Sequence, residues 1–196
     1  MKERTSIEVE NASGIREVSL TTRHLMNRII FVSGDIDAEM ANNFLSELLF
    51  LEECRKPVTI YINSRGGEVN AGLMIYDIIQ GSGLEINMVC TGMAASTAAL
   101  IFAGGQKGIR FILPNSKVMI HEPLISSGVG GSATSIKNIS DSIIEEKYRL
   151  SRILAKHVGR TVEEIDKATS FDNVMNAEEA VKFGICDRIT DQIKIK

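Results

Sequence analysis

From Arg28 onward the sequence predicts an α/β fold, because short β-branched runs alternate with amphipathic stretches and glycines punctuate the junctions. The 196 residues suffice for one domain with a full hydrophobic core, and 44% apolar with 24% charged residues is a globular balance. A single domain over 1–196 is therefore expected, its parallel strands joined by right-handed crossovers.

Strands are expected at Ile29–Ser33, Val58–Asn63, Ile86–Thr91, Ile109–Leu113, Lys117–His121 and Ile185–Ile189. The first helix spans about Ala38 to Glu53, with Asp37 as N-cap and Met40, Phe44, Leu45, Leu48 and Leu49 on one face. A second follows Gly67, from Val69 to Gln80. The third begins near Ala94, and its small residues Ala95, Ala98 and Ala99 suit a helix packed on all sides; it stops at Gly104-Gly105. The longest helix runs from about Thr134 to Val158, with Ile136, Ile139, Ile143, Leu150 and Leu154 at three- and four-residue spacing and Gly159 as its stop. Such a helix reads as an arm, not as part of a layer. Capping boxes at Thr161/Glu164 and Asn176/Glu179 open two short helices. Leu124–Ala133 is a Ser/Gly-rich loop, and residues 1–23, which lack a clear period, are expected to form a flexible tail or a pore-lining or partner-facing loop.

Lys plus Arg number 22 against 25 for Asp plus Glu, a net charge of -3, so no basic field exists to attract nucleic acid. The longest uncharged stretch, Ile86–Gln106, is interrupted by Asn87, Thr91 and several glycines, and reads as a buried strand and helix instead of a membrane span. Charged residues fill the start and no apolar h-region follows, which points to a cytoplasmic chain. Cys54, Cys90 and Cys186 are odd in number and form no Cys-x-x-Cys or Cys/His cluster, which argues against a disulfide scaffold or zinc site. No metal or cofactor is expected.

Three segments can carry chemistry. Asn63-Ser64-Arg65-Gly66-Gly67 lies between a strand and a helix, where paired glycines free backbone N–H groups to hold an oxyanion; a tight turn is the simpler reading. Gly92-Met93-Ala94-Ala95-Ser96-Thr97 places Ser96 in the first turn of a helix, a favourable site for a nucleophile, although it lacks the Gly-x-Ser-x-Gly pattern and Ser96 could equally be an N-cap. His121 ends an apolar strand just before Glu122-Pro123, at the sheet edge where α/β proteins bind ligands; a satisfied core histidine is the alternative. His157, beside Lys156 and Arg160, reads as a helix C-terminal partner, and His24 lies in the unpatterned region. A serine nucleophile needs a base, and the base an orienting carboxylate. Asp172 is attractive because it lies in an irregular stretch; Asp166 and Asp187 are its rivals.

Together the Gly-Gly loop, the Ala-Ala-Ser segment, Leu113-Pro114-Asn115-Ser116-Lys117-Val118-Met119-Ile120-His121 and Asp172-Asn173 resemble the Clp protease proteolytic-subunit family over roughly Arg28–Ile189. The resemblance implies a ClpP/crotonase-like α/β fold, a compact head with a long-helix handle over about 122–158. It implies Ser96 as nucleophile, His121 as general base then acid, Asp172 as its orienter, and the N–H groups of Gly67 and Thr97 as oxyanion hole. It further implies a serine endopeptidase, assembled as a tetradecamer of two heptameric rings, that cleaves unfolded polypeptides fed by a Clp-type AAA+ unfoldase; ATP is used by that partner.

Several positions depart from the family pattern. Arg65 stands where proline is usual, Thr97 where methionine is usual, and Phe171 where an arginine often registers the two rings. On the face where the ATPase docks, Tyr61 and Phe111 remain, but Thr59, Gly81 and Thr190 replace larger apolar residues. These changes suggest a second Clp-type paralogue working with a sister subunit or an unusual unfoldase. The rival readings are a poorly active or structural subunit of mixed rings, and another crotonase-like acyl-transfer enzyme acting on thioesters.

Overall fold

The computed structural model describes residues 5–11, 14–125 and 128–194. The first four residues of the N-terminal segment, its residues 12–13, and Ser126 and Ser127 of the Ser/Gly loop lie outside the described residues.

The chain begins with a hairpin, β1 (Ser6–Asn11) and β2 (Gly14–Ser19), and a short helix α1 (Leu20–Met26). Regular structure therefore exists where the sequence predicted none. Among the described residues the hairpin pairs only with itself and is mostly solvent-exposed, and its one period-two signal, Ile7 and Val9 alternating with Ser6, Glu8 and Glu10, spans only five residues.

From there β3 (Ile29–Ile36), α2 (Ala38–Glu52), β4 (Val58–Gly67), α3 (Val69–Gly81), β5 (Ile86–Ala95) and α4 (Thr97–Ala103) follow in order. Next come β6 (Arg110–Ile112), β7 (Lys117–Ile120), α5 (Ala133–Val158), α6 (Val162–Thr169), β8 (Asn173–Met175), α7 (Ala177–Phe183) and β9 (Arg188–Ile189). Strands β3, β4, β5, β6 and β9 run parallel in that order, β7 joins the far half of β5, and β8 pairs antiparallel with β7. The mixed α/β architecture with a parallel sheet and one long helix is the class that the sequence predicts.

Ile86–Cys90 is buried at every position, as a parallel strand covered on both faces must be. The register sets Ile30, Ile60, Met88 and Arg110 in one transverse row and Phe31, Tyr61, Val89, Phe111 and Arg188 in the next. Alternation across the pleat puts these rows on opposite faces. On the first face α2 buries Ala41, Phe44, Leu48 and Leu51, and all seven residues of α4 are buried. On the second, Phe31 stacks on Tyr61 at 5.6 Å and the Arg188 guanidinium lies 5.1 Å from the Phe111 ring centre.

Differences from the expected elements have local causes. The strand expected at Ile185–Ile189 shortens to Arg188–Ile189 because Ile185 and Cys186, after the left-handed Gly184, are fully buried in the core. Helix α5 is long as expected, from the Ser132 N-cap to a left-handed Gly159, but only Ser151, Leu154 and Ala155 on it are buried. Ile136, Ile139, Ile144 and Tyr148 are exposed.

Arg110, 2% exposed, is a charge on the core-facing row and is held by Asp187. Its Nε and Nη2 donate to the two Asp187 oxygens at 3.0 and 2.7 Å, and its Nη1 donates to the Ala103 carbonyl. The backbone N–H groups of Gly108 and Arg110 also donate to Asp187. Burial opposes the Asp187 charge, but these bonds outweigh it and hold the carboxyl below its ordinary range. A depressed carboxylate stabilises the fold above its unfolded pKa, and the contribution is lost as pH falls through the folded value. Asp187→Asn should cost about 3–5 kcal/mol at pH 7, since it strands a buried guanidinium. In thermal melts, the gap to the native sequence should narrow below pH 4; a gap independent of pH would contradict this account.

Candidate active site

Ser96 is placed by the end of β5. The ladder holds Met93, Ala94 and Ala95 opposite Lys117, Val118 and Met119 of β7, and the Ser96 N–H donates to the Met119 carbonyl. These bonds keep Met93–Ala95 extended, so the helix starts at Thr97 and not near Ala94 as the sequence suggested. Ser96 is the N-cap residue, with φ 56° and ψ -124°, and its side chain makes no capping bond. Positive φ in a non-glycine residue is strained backbone, and it turns the hydroxyl away from the helix it would otherwise cap. Strand, strained serine and helix reproduce the geometry of a nucleophile elbow without its glycine pattern.

His121 follows β7, two residues beyond Met119, and so arrives beside Ser96 by register alone. The distance from His121 Nε2 to Ser96 Oγ is 2.8 Å. Asp172 comes from the segment preceding β8, a strand too short for any sequence periodicity to disclose. Ile120 pairs with Asn173 in the antiparallel β7–β8 ladder, so the next pair outward is His121 with Asp172. Asp172 Oδ1 lies 3.4 Å from His121 Nδ1, but the two are not aligned for a hydrogen bond, and Nδ1 is buried without a partner. The Asp172 side chain is 72% exposed. Its rivals have other employment: Asp187 binds Arg110, and Asp166 accepts from Ser151 Oγ at 2.6 Å.

The other histidines lie outside the site. His157 meets the Tyr76 hydroxyl at 2.8 Å, and burial, then Lys156 and Arg110, push its pKa down. His24 packs edge-on against Phe31. Cys90 and Cys186 are free thiols that burial pushes up to about 11 and about 12, too protonated to serve as nucleophiles.

The glycine pair is explained sterically. Gly66 has φ 95°, and a Cβ there would fall 2.7 Å from the Ala95 carbonyl oxygen and 2.8 Å from Ser96 Cβ. A Cβ on Gly67 would collide with the Ile36 carbonyl oxygen at 2.1 Å. Ser64 Oγ fixes the loop by donating to the Gly34 carbonyl and accepting from the Gly66 N–H. The loop is thereby pressed against the serine turn.

A cavity of about 50 Å³ opens beside Ser96 and His121, walled by Val69, Leu100, Ile120, Leu150, Leu154 and Ile165, with Glu122 and Lys147 also lining it. Thr97 lines it too, and its Oγ1 is buried without a partner; its Cβ lies 2.7 Å from where a Gly72 Cβ would be.

Against this geometry, a family model described as Clp protease matches residues 12–193. The chain belongs to the Clp protease family. Its α/β head and long helix are accordingly the ClpP/crotonase type of fold. Arg65 is exposed next to the glycine pair, and Phe171 is 61% exposed.

The contact between Gly66 and Ser96 predicts a separation of stability from reactivity. Gly66→Ala should cost about 1–2 kcal/mol from its backbone conformation and also slow labelling of Ser96 by a fluorophosphonate at least tenfold. Gly159→Ala has a similar positive φ but nothing within 4 Å of the added Cβ, so it should lower the melting temperature and leave labelling unchanged.

Proposed function

We propose that this chain is a serine endopeptidase subunit of a self-compartmentalising, ATP-dependent Clp-type protease, cleaving unfolded polypeptides through an acyl-enzyme. The observation that carries this reading is the 2.8 Å contact between Ser96 Oγ and His121 Nε2 at a strained strand-to-helix turn. With the ring proton on Nδ1, facing Asp172, Nε2 accepts the Ser96 hydroxyl proton as Oγ attacks the scissile carbonyl. The oxyanion rests on the N–H groups of Gly67 and Thr97. The C–N bond then breaks, with His121 returning the proton to the leaving amine. Water, deprotonated by the same imidazole, hydrolyses the ester and frees Ser96. The cavity beside Ser96 receives the side chain of the residue preceding the cut.

Fluorophosphonate treatment of the intact protein should add one adduct, seen by mass spectrometry and lost in Ser96→Ala. Asp172→Asn should lower kcat by about 10³–10⁴ and leave KM near its original value, since it disturbs the imidazole and not the binding cavity. An adduct that persists in Ser96→Ala would remove the nucleophile assignment.

Family membership and the exposed apolar residues of α5 support assembly into stacked rings, a tetradecamer in which Ile139, Ile144 and Tyr148 are covered by other copies. Ile144→Asp should shift the sedimenting species toward smaller oligomers, whereas Lys137→Ala, on an exposed i,i+4 pair, should not. Among the described residues no helix is long and apolar enough to cross a membrane. The ATPase partner is an AAA+ unfoldase that supplies unfolded chain. Its docking surface would be the aromatic row, but Tyr61 and Phe111 are 8% and 7% exposed and the Tyr61 hydroxyl donates to the Ile193 carbonyl. That covering favours a partner unlike a standard Clp ATPase.

The misaligned His121–Asp172 contact favours a second reading, a subunit idle by itself that works within mixed rings beside a sister paralogue. Labelling that appears only when the sister subunit is added would establish it.

A further inference from the structure

Within the cavity beside Ser96 one feature is not needed by the triad. Glu122 immediately follows the proposed base, and its backbone N–H is fixed by donating to the Thr169 carbonyl at 2.9 Å. Its carboxylate meets Lys147 Nζ of α5 at 2.6 Å, and both residues line the cavity. The side chains are 38% and 30% exposed, so each keeps one flank toward the opening. The hydrogen bond to Glu122 holds the Lys147 ammonium above its ordinary pKa. Of the other hydroxyl groups of the wall, Ser151 bonds Asp166 and Thr169 the Ile165 carbonyl, while Thr97 Oγ1, a neutral group, has no partner. Asp166 is the further carboxylate acting on Lys147.

Resting on the peptidase reading above, we propose that the Glu122–Lys147 pair sets which charge the subsite accepts for the residue preceding the cut. While paired, the two charges cancel, and a third charge entering a cavity of about 50 Å³ would have to desolvate with no free charge of opposite sign to meet it. The subsite therefore takes uncharged side chains and rejects acidic and basic ones. Removing either partner frees the other to bind a substrate side chain of opposite charge.

The test uses the assembled full-length protein and quenched peptides identical except at that position, comparing kcat/KM within the near-isosteric pairs Gln/Glu and Met/Lys. The unaltered protein should favour Gln and Met by about tenfold or more. Glu122→Gln should raise the Glu/Gln ratio about tenfold and leave Lys/Met low. Lys147→Met should do the opposite, raising Lys/Met alone. Ratios that stay fixed, or move in the same direction in both variants, would overturn the proposal and make the pair a simple tether. Loss of fluorophosphonate labelling in both variants, restored by combining Glu122→Lys with Lys147→Glu without any change in the ratios, would overturn it in the same way. If the unaltered protein cleaves none of the peptides and takes no label at Ser96, the peptidase reading itself falls and this inference falls with it.

Discussion

Strand β5 has ten residues and gives one edge to two different neighbours: β6 takes Met88–Cys90, and β7 takes Met93–Ala95. The handover occurs at the Cys90 carbonyl, which accepts from the Leu113 N–H and from Ser116 Oγ while the Cys90 thiol faces the Lys117 carbonyl. Ser116 is 3% exposed, so this polar knot sits inside the sheet with its bonds satisfied. The segment Leu113–Lys117 is in effect the device by which the chain leaves β6 and re-enters the same edge further along. Without that re-entry β7 would not lie beside the end of β5, and Ser96 and His121 would have no reason to meet.

The same constraint accounts for the strain at Ser96. Parallel ladders on both sides hold Ala94 and Ala95 extended, Ala94 pairing with Ser64 of β4 and with Val118 of β7. The next residues belong to α4, which is buried all round and cannot shift. The whole change of direction falls on one residue, and φ 56° is the result. Gly66 lies against the outside of that turn with no room for a side chain, so the two loops that would form the oxyanion site are set by one packing contact.

Much of this was legible in the sequence, and the gaps have a common cause. Short apolar runs such as Ile86–Cys90, interrupted only by Asn87, disclosed buried parallel strands, and Asp37, Thr161 and Asn176 disclosed helix starts through their caps, each accepting the expected backbone N–H. Ser96 and His121 were legible as candidates because each ends a recognisable strand. Their adjacency was not, since it depends on the branching of β5, which no local period encodes. Asp172 could not be separated from Asp166 and Asp187 for a similar reason. What distinguishes it is β8, three residues whose only signal is pairing with β7. The hairpin β1–β2 escaped because its apolar alternation is confined to Ile7 and Val9, too short a signal beside the mostly exposed β2.

Internal support is unevenly spread across the site. Ser96 and His121 adjoin the β5–β7 ladder and the buried helix α4, whereas Asp172 is mostly exposed just before a three-residue strand, and α5 buries only three of its 26 residues. The wall of the cavity follows the same division. Val69, Leu100 and Ile120 belong to the head, while Lys147, Leu150 and Leu154 belong to α5. Local stability is lowest where burial is least, so Asp172 and the α5 wall are the parts least tied to the core. Glu122 touches both halves: its backbone is tied to α6 through Thr169, and its carboxylate to α5 through Lys147. Glu122 and Lys147 thus join the exposed helix α5 to the segment that carries His121.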